Sequence, residues 1–106
     1  MLITIKQHGM EITPAIRQYV EEKMQSLEKY FNDVWQIDVE IGYANHHQQK
    51  GNIYECKAVV QVAGEVMRIE KDAEDLYKAI DKVRDHLRVD LTKWKEKLED
   101  RSKGKR

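Results

Sequence analysis

The sequence has few of the residues that mark disulfide frameworks, nucleotide loops or membrane spans. Cys56 is the single cysteine among 106 residues, so no internal disulfide can form. Pro14 is the single proline, and the five glycines are scattered without a phosphate-binding fingerprint. No apolar run is long enough to cross a bilayer, and the first residues lack a secretory signal's charged start and apolar middle. The composition therefore indicates a soluble domain of a reducing cytoplasm, with no membrane partner.

Patterns of catalysis and metal binding are also missing. There is no nucleophile elbow, and Asp38 and Glu40 share the wet face of a strand, where paired carboxylates usually serve solubility. The adjacent His46 and His47 lie in a polar stretch without a cysteine or carboxylate at ligand spacing, which argues against zinc. The sequence predicts a binding protein rather than an enzyme, with no cofactor, no metal and no small-molecule substrate.

Charge is balanced overall but unevenly distributed. Residues 1–81 hold 9 Lys+Arg and 14 Asp+Glu, a balance of −5. Residues 82–106 hold 10 Lys+Arg and 5 Asp+Glu, a balance of +5. Such asymmetry favours a directional interaction with an anionic surface. The alternative is that the basic end only solubilises the chain.

The sequence pattern of the first part of the chain predicts a strand followed by a helix. Residues 2–8, LITIKQH, alternate as a short strand does. Thr13 is a good N-cap, and Pro14 suits the first helical position. The helix is expected to run to about Phe31, and its apolar face holds Ile16, Val20, Met24, Leu27 and Phe31.

The middle of the chain alternates as three further strands. Residues 35–43 form the clearest strand, with one buried face made of Trp35, Ile37, Val39, Ile41 and Tyr43. Residues 53–63 form the next, with one side made of Tyr54, Cys56, Ala58, Val60 and Val62. A tight turn at Ala63 and Gly64 leads into a third strand over residues 65–71, so the two form a hairpin.

A long amphipathic helix is predicted from Asp72 to Leu98, with Asp72 as its N-cap. Its apolar stripe repeats at steps of three and four, through Leu76, Ile80, Val83, Leu87, Leu91, Trp94 and Leu98. One basic sector holds Lys82, His86, Lys93 and Lys97, with Val89 at its edge, and another holds Arg84, Arg88 and Lys95. The helix is either an ordinary solvated surface or a rod that docks against phosphate.

The predicted order, β-α-β-β-β-α, defines an α+β fold. We expect a parallel first strand pair joined by a right-handed crossover, followed by a meander. Each helix has one apolar stripe, so both should cover the same face of a four-stranded sheet in a two-layer sandwich. Residues 1–99 are expected to form the domain, and residues 100–106 a basic disordered tail.

Four stretches resemble the family of the ribosome hibernation-promoting factor and protein Y. They are residues 10–17, MEITPAIR; 27–31, LEKYF; 75–81, DLYKAID; and 91–98, LTKWKEKL. The resemblance covers essentially the whole domain and implies a fold similar to double-stranded RNA-binding domains. It also implies binding to the small ribosomal subunit and its 16S rRNA, in the channel of messenger and transfer RNA. Translation would thereby be inhibited in stationary phase or stress.

The resemblance also implies where RNA binds. The family's basic positions carry over to Lys23 on the first helix and to Lys93, Lys95 and Lys97 on the second. Ser26, His86 and Val89 stand where close relatives often carry Lys or Arg. Together with additional basic residues on the second helix, the predicted RNA-binding set is Lys23, Lys82, His86, Arg88, Lys93, Lys95 and Lys97.

The resemblance leaves the subtype and two alternatives open. The chain length leaves no room for the C-terminal dimerisation domain of long members, and residues 101–106 are basic where the protein Y type is acidic. We therefore expect the short form, which acts with a separate ribosome modulation factor. One alternative is a protein-binding modulator of an alternative sigma factor, for which the acidic residues 1–81 would suit a basic partner. Another is a free double-stranded RNA binder, although the Lys-rich cluster that bridges successive grooves is missing.

Overall fold

The fold comes from a computed structural model that describes residues 1–29, 31–44 and 53–104, the last four as backbone only. The elements are β1 (Leu2–His8), α1 (Pro14–Glu28), β2 (Val34–Tyr43), β3 (Tyr54–Val62), β4 (Glu65–Ala73) and α2 (Leu76–Gly104). They form one sheet in the order β1-β2-β3-β4, in which β1 is parallel to β2 and the other pairs are antiparallel. The predicted β-α-β-β-β-α order is therefore confirmed. No helix within these residues is both long and apolar enough to span a membrane.

One face of the sheet and the apolar stripes of both helices share a single core. Inward residues pair across the central strands, as Ile37 does with Val60 and Val39 with Ala58. The buried residues of the helices include Ile16, Val20, Met24 and Leu27 of α1, and Leu76, Ile80, Val83, Leu87, Leu91 and Trp94 of α2. Burying one such side chain contributes about 1.5–3 kcal/mol, so the stripe of α2 is a major source of stability. The two-layer α+β sandwich is confirmed.

Helix α1 begins as its sequence predicts but ends earlier. Thr13 Oγ1 accepts a hydrogen bond from Ile16 N at 3.1 Å, while Pro14 has no N–H that would need a partner. The helix ends at Glu28 with Lys29 as its C-cap, rather than at Phe31. Phe31 is nevertheless buried, and its N–H donates to the carbonyl of Leu27 at 3.0 Å. The turn thus keeps the phenyl ring in the core while the chain reverses into β2.

A bulge at the start of β2 overturns the predicted position of Trp35. Val34 pairs with Val62 while Gln36 pairs with Gln61, so Trp35 is an extra residue in the ladder. Val34 takes the inward place and is 4% exposed, whereas Trp35 is 61% exposed. The expectation that Trp35 belongs to the core is therefore wrong. Tyr43, at the other end of β2, is also exposed.

The start of α2 differs from the prediction because β4 is longer than its sequence pattern suggests. Asp72 pairs with Glu55 in the ladder, and β4 continues to Ala73, so Asp72 cannot cap the helix. Asp75 caps it instead, because its Oδ1 accepts from Tyr77 N at 2.8 Å. The predicted N-cap at Asp72 is wrong, since strand pairing outweighs a local capping preference.

Helix α2 extends beyond the sheet at its C-terminal end. Trp94 is 5% exposed, whereas Leu98 is 37% exposed, although both belong to the predicted apolar stripe. The backbone of the helix continues to Gly104. The division into a domain of residues 1–99 and a basic disordered tail of residues 100–106 stays a prediction. No Gly or Pro interrupts α2 before Gly104, and most of its residues beyond Trp94 are good helix formers. Residues 95–104 form a projection of about 15 Å at 1.5 Å per residue.

Gly42 provides the space in which His8 crosses β2. A Cβ at this position would lie 2.5 Å from the His8 carbonyl oxygen and 2.6 Å from its Cε1 atom. Through this gap, His8 Nε2 approaches Glu55 Oε1 to 3.7 Å. A glycine is therefore required by close approach of β1 and not by its own backbone angles.

Gly42→Ala is expected to lower the free energy of unfolding by about 1–3 kcal/mol, measured by urea denaturation. The added methyl group would collide with the backbone of β1, which cannot retreat without disturbing its pairing with β2. The double variant Gly42→Ala, His8→Ala should retain most of this loss because the carbonyl remains. Full recovery in the double variant would mean that only the imidazole was displaced.

Candidate nucleic-acid interface

The basic residues of α2 form two separate surfaces. At 3.6 residues per turn, Lys82, His86, Lys93 and Lys97 fall on one side of the apolar stripe, here named the β4 flank. Arg84, Arg88 and Lys95 fall on the other side and, together with Lys23 of α1, are here named the α1 flank. The two flanks point almost oppositely about the helix axis. The structure therefore divides the predicted RNA-binding set into two groups.

The β4 flank is marked by a small groove between α2 and the start of β4. This groove of about 150 Å³ is lined by Glu65, Met67, Asp90, Lys93, Trp94 and Lys97. Lys93 and Lys97 are exposed, one helical turn apart, and neither forms an ion pair within the described part of the chain. Lys82 Nζ donates to the Asp72 carbonyl at 3.1 Å, and His86 Nε2 lies 3.5 Å from Asp90 Oδ2. Lys93 and Lys97 are thus the cations of this flank best placed to meet an external anion.

The α1 flank holds Lys23 in a contact between the helices. Lys23 Nζ lies 3.4 Å from Asp81 Oδ1 and 5.2 Å from the centroid of the Tyr19 ring. The same carboxylate oxygen accepts a hydrogen bond from Tyr19 Oη at 2.6 Å. The Lys23 side chain is 27% exposed. Lys23 therefore joins α1 to α2, a role that its sequence context does not reveal, and its contact with RNA stays a prediction.

Tyr19 is held as a neutral donor in this contact. Its hydrogen bond to Asp81, followed by partial burial and the charge of Asp81, raises the pKa of Tyr19 to about 12. The ring also packs edge-to-face on Tyr77, with centroids 4.8 Å apart. Tyr19 and Asp81 lie 62 residues apart, so this hydrogen bond connects distant parts of the chain.

Tyr19→Phe is expected to lower the free energy of unfolding by about 1 kcal/mol at neutral pH, because a hydrogen bond to a charged acceptor is lost. The raised pKa means that this contribution is complete below pH 10.0 and is lost as pH rises toward 12. The difference in Tm between the two proteins should therefore shrink over that range. Tyr77→Phe is the matched control and should show no such convergence; parallel behaviour of both variants would contradict the assigned role.

Arg84 brings a positive charge next to Ser26, one of the positions where close relatives often carry Lys or Arg. Ser26 Oγ donates to the Lys23 carbonyl at 2.6 Å and accepts from Arg84 Nη1 at 3.5 Å. Arg84 Nε also donates to Asp85 Oδ1 at 2.7 Å. The guanidinium of α2 thus sits against the Ser26 position of α1. Arg84 is not in the predicted RNA-binding set. Its nearness to Ser26 depends on how the helices pack, which the sequence does not show.

Other titratable groups have structural partners. Asp38 accepts hydrogen bonds from Thr4 Oγ1 and from Gln36 Nε2, and these lower the pKa of Asp38. Its carboxylate therefore joins β1 to β2 through Thr4. Burial raises the pKa of Cys56 to about 12, so the thiol stays protonated and behaves as a small apolar residue.

A group of three carboxylates lies on the open face of the sheet. Within the described residues, Glu55, Glu70 and Asp72 have ligand oxygens within 4.8 Å of one another, close enough to hold a metal ion. Lys57 Nζ lies 3.4 Å from Glu55 Oε1, so part of this charge is offset within the sheet. A hydrogen bond to Glu55, with partial burial and the charge of Glu55, raises the pKa of Glu70. The pair His46 and His47 lies outside the described residues.

The fold and the basic helix together define a class of protein. A four-stranded sheet covered on one face by two helices, the second long and cationic, is an α+β domain suited to binding a polyanion. The chain belongs to the family described as Sigma 54 modulation protein / S30EA ribosomal protein, which matches residues 3–99. The family resemblance predicted from the four sequence stretches is thereby confirmed.

Relatives of two lengths match the chain. It is 35% identical over 106 residues to the ribosome hibernation promoting factor of Azotobacter vinelandii, covering 100% of this chain and 94% of that protein. It is 29% identical over 106 residues to the ribosome hibernation promotion factor of Staphylococcus aureus, covering 98% of this chain and 54% of that protein. The chain therefore spans about half the length of the longer relative.

Solved structures share the fold. The crystal structure of the Thermus thermophilus Protein Y N-terminal domain matches with a TM-score of 0.76 and 29% identity, covering 89% of this chain and 99% of that one. A ribosomal subunit interface protein from Coxiella burnetii matches with a TM-score of 0.79 and 22% identity, covering 91% and 99%. At 22% identity, the similarity to the Coxiella burnetii protein shows a shared fold only.

Proposed function

We propose that this chain is a ribosome hibernation factor that binds the small ribosomal subunit and inhibits translation in stationary phase or stress. The observation that carries this proposal is the relationship to the Azotobacter vinelandii factor over the whole chain, together with the cationic second helix. Although the family description includes sigma-54 modulation, the relatives that match are named for ribosome hibernation, which favours the ribosome over a sigma factor. A ribosomal partner would place the chain in the cytoplasm.

The proposed contact is with phosphates of 16S rRNA in the channel of messenger and transfer RNA. Residues 1–99 would be the ribosome-binding domain, and a separate ribosome modulation factor would be a further partner. Lys and Arg side chains that neutralise phosphates release counterions, which makes such binding strong at low salt and weak at high salt. The exposed cations of α2 supply this chemistry without any catalytic group.

The β4 flank is proposed as the main docking surface. A flat phosphate surface cannot meet both flanks of α2 at once, because they face almost opposite directions and Asp85 and Glu96 lie between them. On the β4 flank, Lys93 and Lys97 are exposed and neighbouring. On the α1 flank, Lys23 is held by Asp81, and Arg84 by Asp85 and Ser26. We assign Lys93 and Lys97 the largest share of RNA binding, with Lys82 and His86 beside them and Lys23, Arg88 and Lys95 contributing less.

Sedimentation with purified small subunits tests the function. The chain should travel with the subunit in a sucrose gradient at low salt and dissociate as salt rises, with a slope of about 0.7 to 0.9 per phosphate contacted. Large subunits in a parallel gradient are the control, and cell-free translation should fall as the chain is added. Absence of co-sedimentation at low salt would contradict the proposal and direct attention to protein partners.

A further inference from the structure

An open pocket lies at the end of the domain far from Lys93 and Lys97. It has a volume of about 370 Å³ and lies where α1 and α2 both begin, beside the first residue of β3. It is lined by Met10, Ile16, Tyr54, Glu74, Asp75, Leu76 and Tyr77. A concave site of this size can hold an amino-acid side chain or a small ligand.

The walls of the pocket are apolar and held in place. Ile16 and Leu76 belong to the buried core, so their pocket-facing parts rest on packed residues. Tyr77 is 39% exposed, and its ring is fixed edge-to-face against Tyr19. Tyr54 packs against Tyr43, with centroids 5.2 Å apart. Two aromatic rings are thus presented at the pocket in defined positions.

The charge at the rim selects the kind of ligand. Among the described residues that line the pocket, Glu74 and Asp75 carry carboxylates and none carries a cation. The hydrogen bond from Tyr77 N to Asp75 Oδ1 holds that carboxylate at the rim. These two carboxylates would attract a cation, and a cation with an apolar stem would also suit the apolar part of the lining.

We propose that this pocket binds an arginine side chain of a basic polypeptide segment. The planar guanidinium can stack on Tyr77 or Tyr54 and donate paired hydrogen bonds to a rim carboxylate, while its aliphatic stem lies on apolar residues of the floor. On a ribosome, the segment would belong to a ribosomal protein, and this last step rests on the proposed function. The domain would then meet RNA with the basic end of α2 and protein with the acidic end.

The first test is an NMR titration of the full, isotope-labelled chain with a blocked peptide of alternating glycine and arginine. Resonances of Tyr54, Leu76 and Tyr77 should shift and saturate, and the same peptide with citrulline in place of arginine should leave them unmoved. The variant Glu74→Gln, Asp75→Asn should bind the arginine peptide about tenfold more weakly. Asparagine preserves the helix cap, so the fold should be unaffected.

A matched control separates the pocket from general charge attraction. Glu96→Gln, Glu99→Gln makes the same change in charge near the other end of α2 and should bind the peptide within about twofold of the parent chain. Equal weakening by both pairs would overturn the proposal. Shifts of Tyr77 and Leu76 by oligouridine, with none by the arginine peptide, would overturn it in favour of an RNA base.

A ribosomal readout tests the source of the segment. The Glu74→Gln, Asp75→Asn variant should lose affinity for intact small subunits about tenfold while binding protein-free 16S rRNA as the parent chain does. Equal affinity of the variant and the parent chain for intact subunits would overturn the assignment to a ribosomal protein. Because the peptide titration contains no ribosome, failure of the pocket and failure of ribosome binding are observed separately.

Discussion

Replacing Lys93 and Lys97 together by glutamate is expected to abolish binding to small subunits without unfolding the domain. Both side chains are exposed on the β4 flank, so the substitutions leave the core intact. Each reversal removes a phosphate contact and adds a repulsion, and the pair should weaken binding by at least about a hundredfold at low salt. Gradient sedimentation measures the binding, and circular dichroism should show a melting curve close to that of the parent chain.

The matched control is Arg88→Glu with Lys95→Glu, which makes the same change in charge on the α1 flank. We expect a loss of about tenfold or less, because these residues face away from the proposed docking surface. Any remaining binding in either variant should depend less steeply on salt, because fewer phosphates are neutralised and fewer counterions are released. A greater loss from the control pair than from the Lys93 and Lys97 pair would reverse the assignment of the docking face.

Leu87→Asp is expected to unfold the domain. Leu87 is 0% exposed in the middle of α2, so the substitution removes an apolar side chain from the core and buries a carboxylate without a partner. The lost packing alone costs about 2–5 kcal/mol, and the buried charge adds to it. Domains of this kind are stable by only about 5–15 kcal/mol. Thermal scans should show no cooperative transition, and near-ultraviolet circular dichroism should be lost.

Val89→Asp is the control for this second prediction. Val89 lies on the same helix but is 50% exposed, so a carboxylate there stays hydrated. The free energy of unfolding should change by no more than about 0.5 kcal/mol. A cooperative transition for Leu87→Asp near the Tm of the Val89→Asp variant would contradict the assignment of Leu87 to the core.

The order of elements could be predicted because it depends on local periodicity. Steps of two along residues 53–63 and steps of three and four along α2 follow from which side chains must be buried. The structure confirms both patterns, except that Leu98 at the end of the α2 stripe is exposed. The predicted burial of Trp35 is wrong for a reason that lies elsewhere in the chain. The bulge depends on how Val62 and Gln61 of β3 meet β2, and no pattern within β2 reveals it. The predicted N-cap at Asp72 is wrong for a similar reason, because Asp72 pairs with Glu55 and so belongs to β4.

The candidate site was predictable only in part. The helical repeat separates the basic residues of α2 into two sectors, and the structure retains that division. The sequence repeat alone does not tell which sector faces α1, because that depends on how the two helices pack. The contact of Tyr19 with Asp81 and that of Arg84 with Ser26 join residues far apart in the sequence. Lys23 could therefore be recognised as a cation, but not as a partner of Asp81.

Because of the bulge in β2, the two tryptophans differ in exposure, and their fluorescence can be distinguished. Trp35 is 61% exposed and Trp94 is 5% exposed, so a collisional quencher in solution should reach the first indole and spare the second. Trp94 lines the groove with Lys93 and Lys97, whereas Trp35 stands outside it. In a Trp35→Phe variant the remaining emission would come from Trp94 alone. Docking on the β4 flank could then be followed by fluorescence, without an added dye.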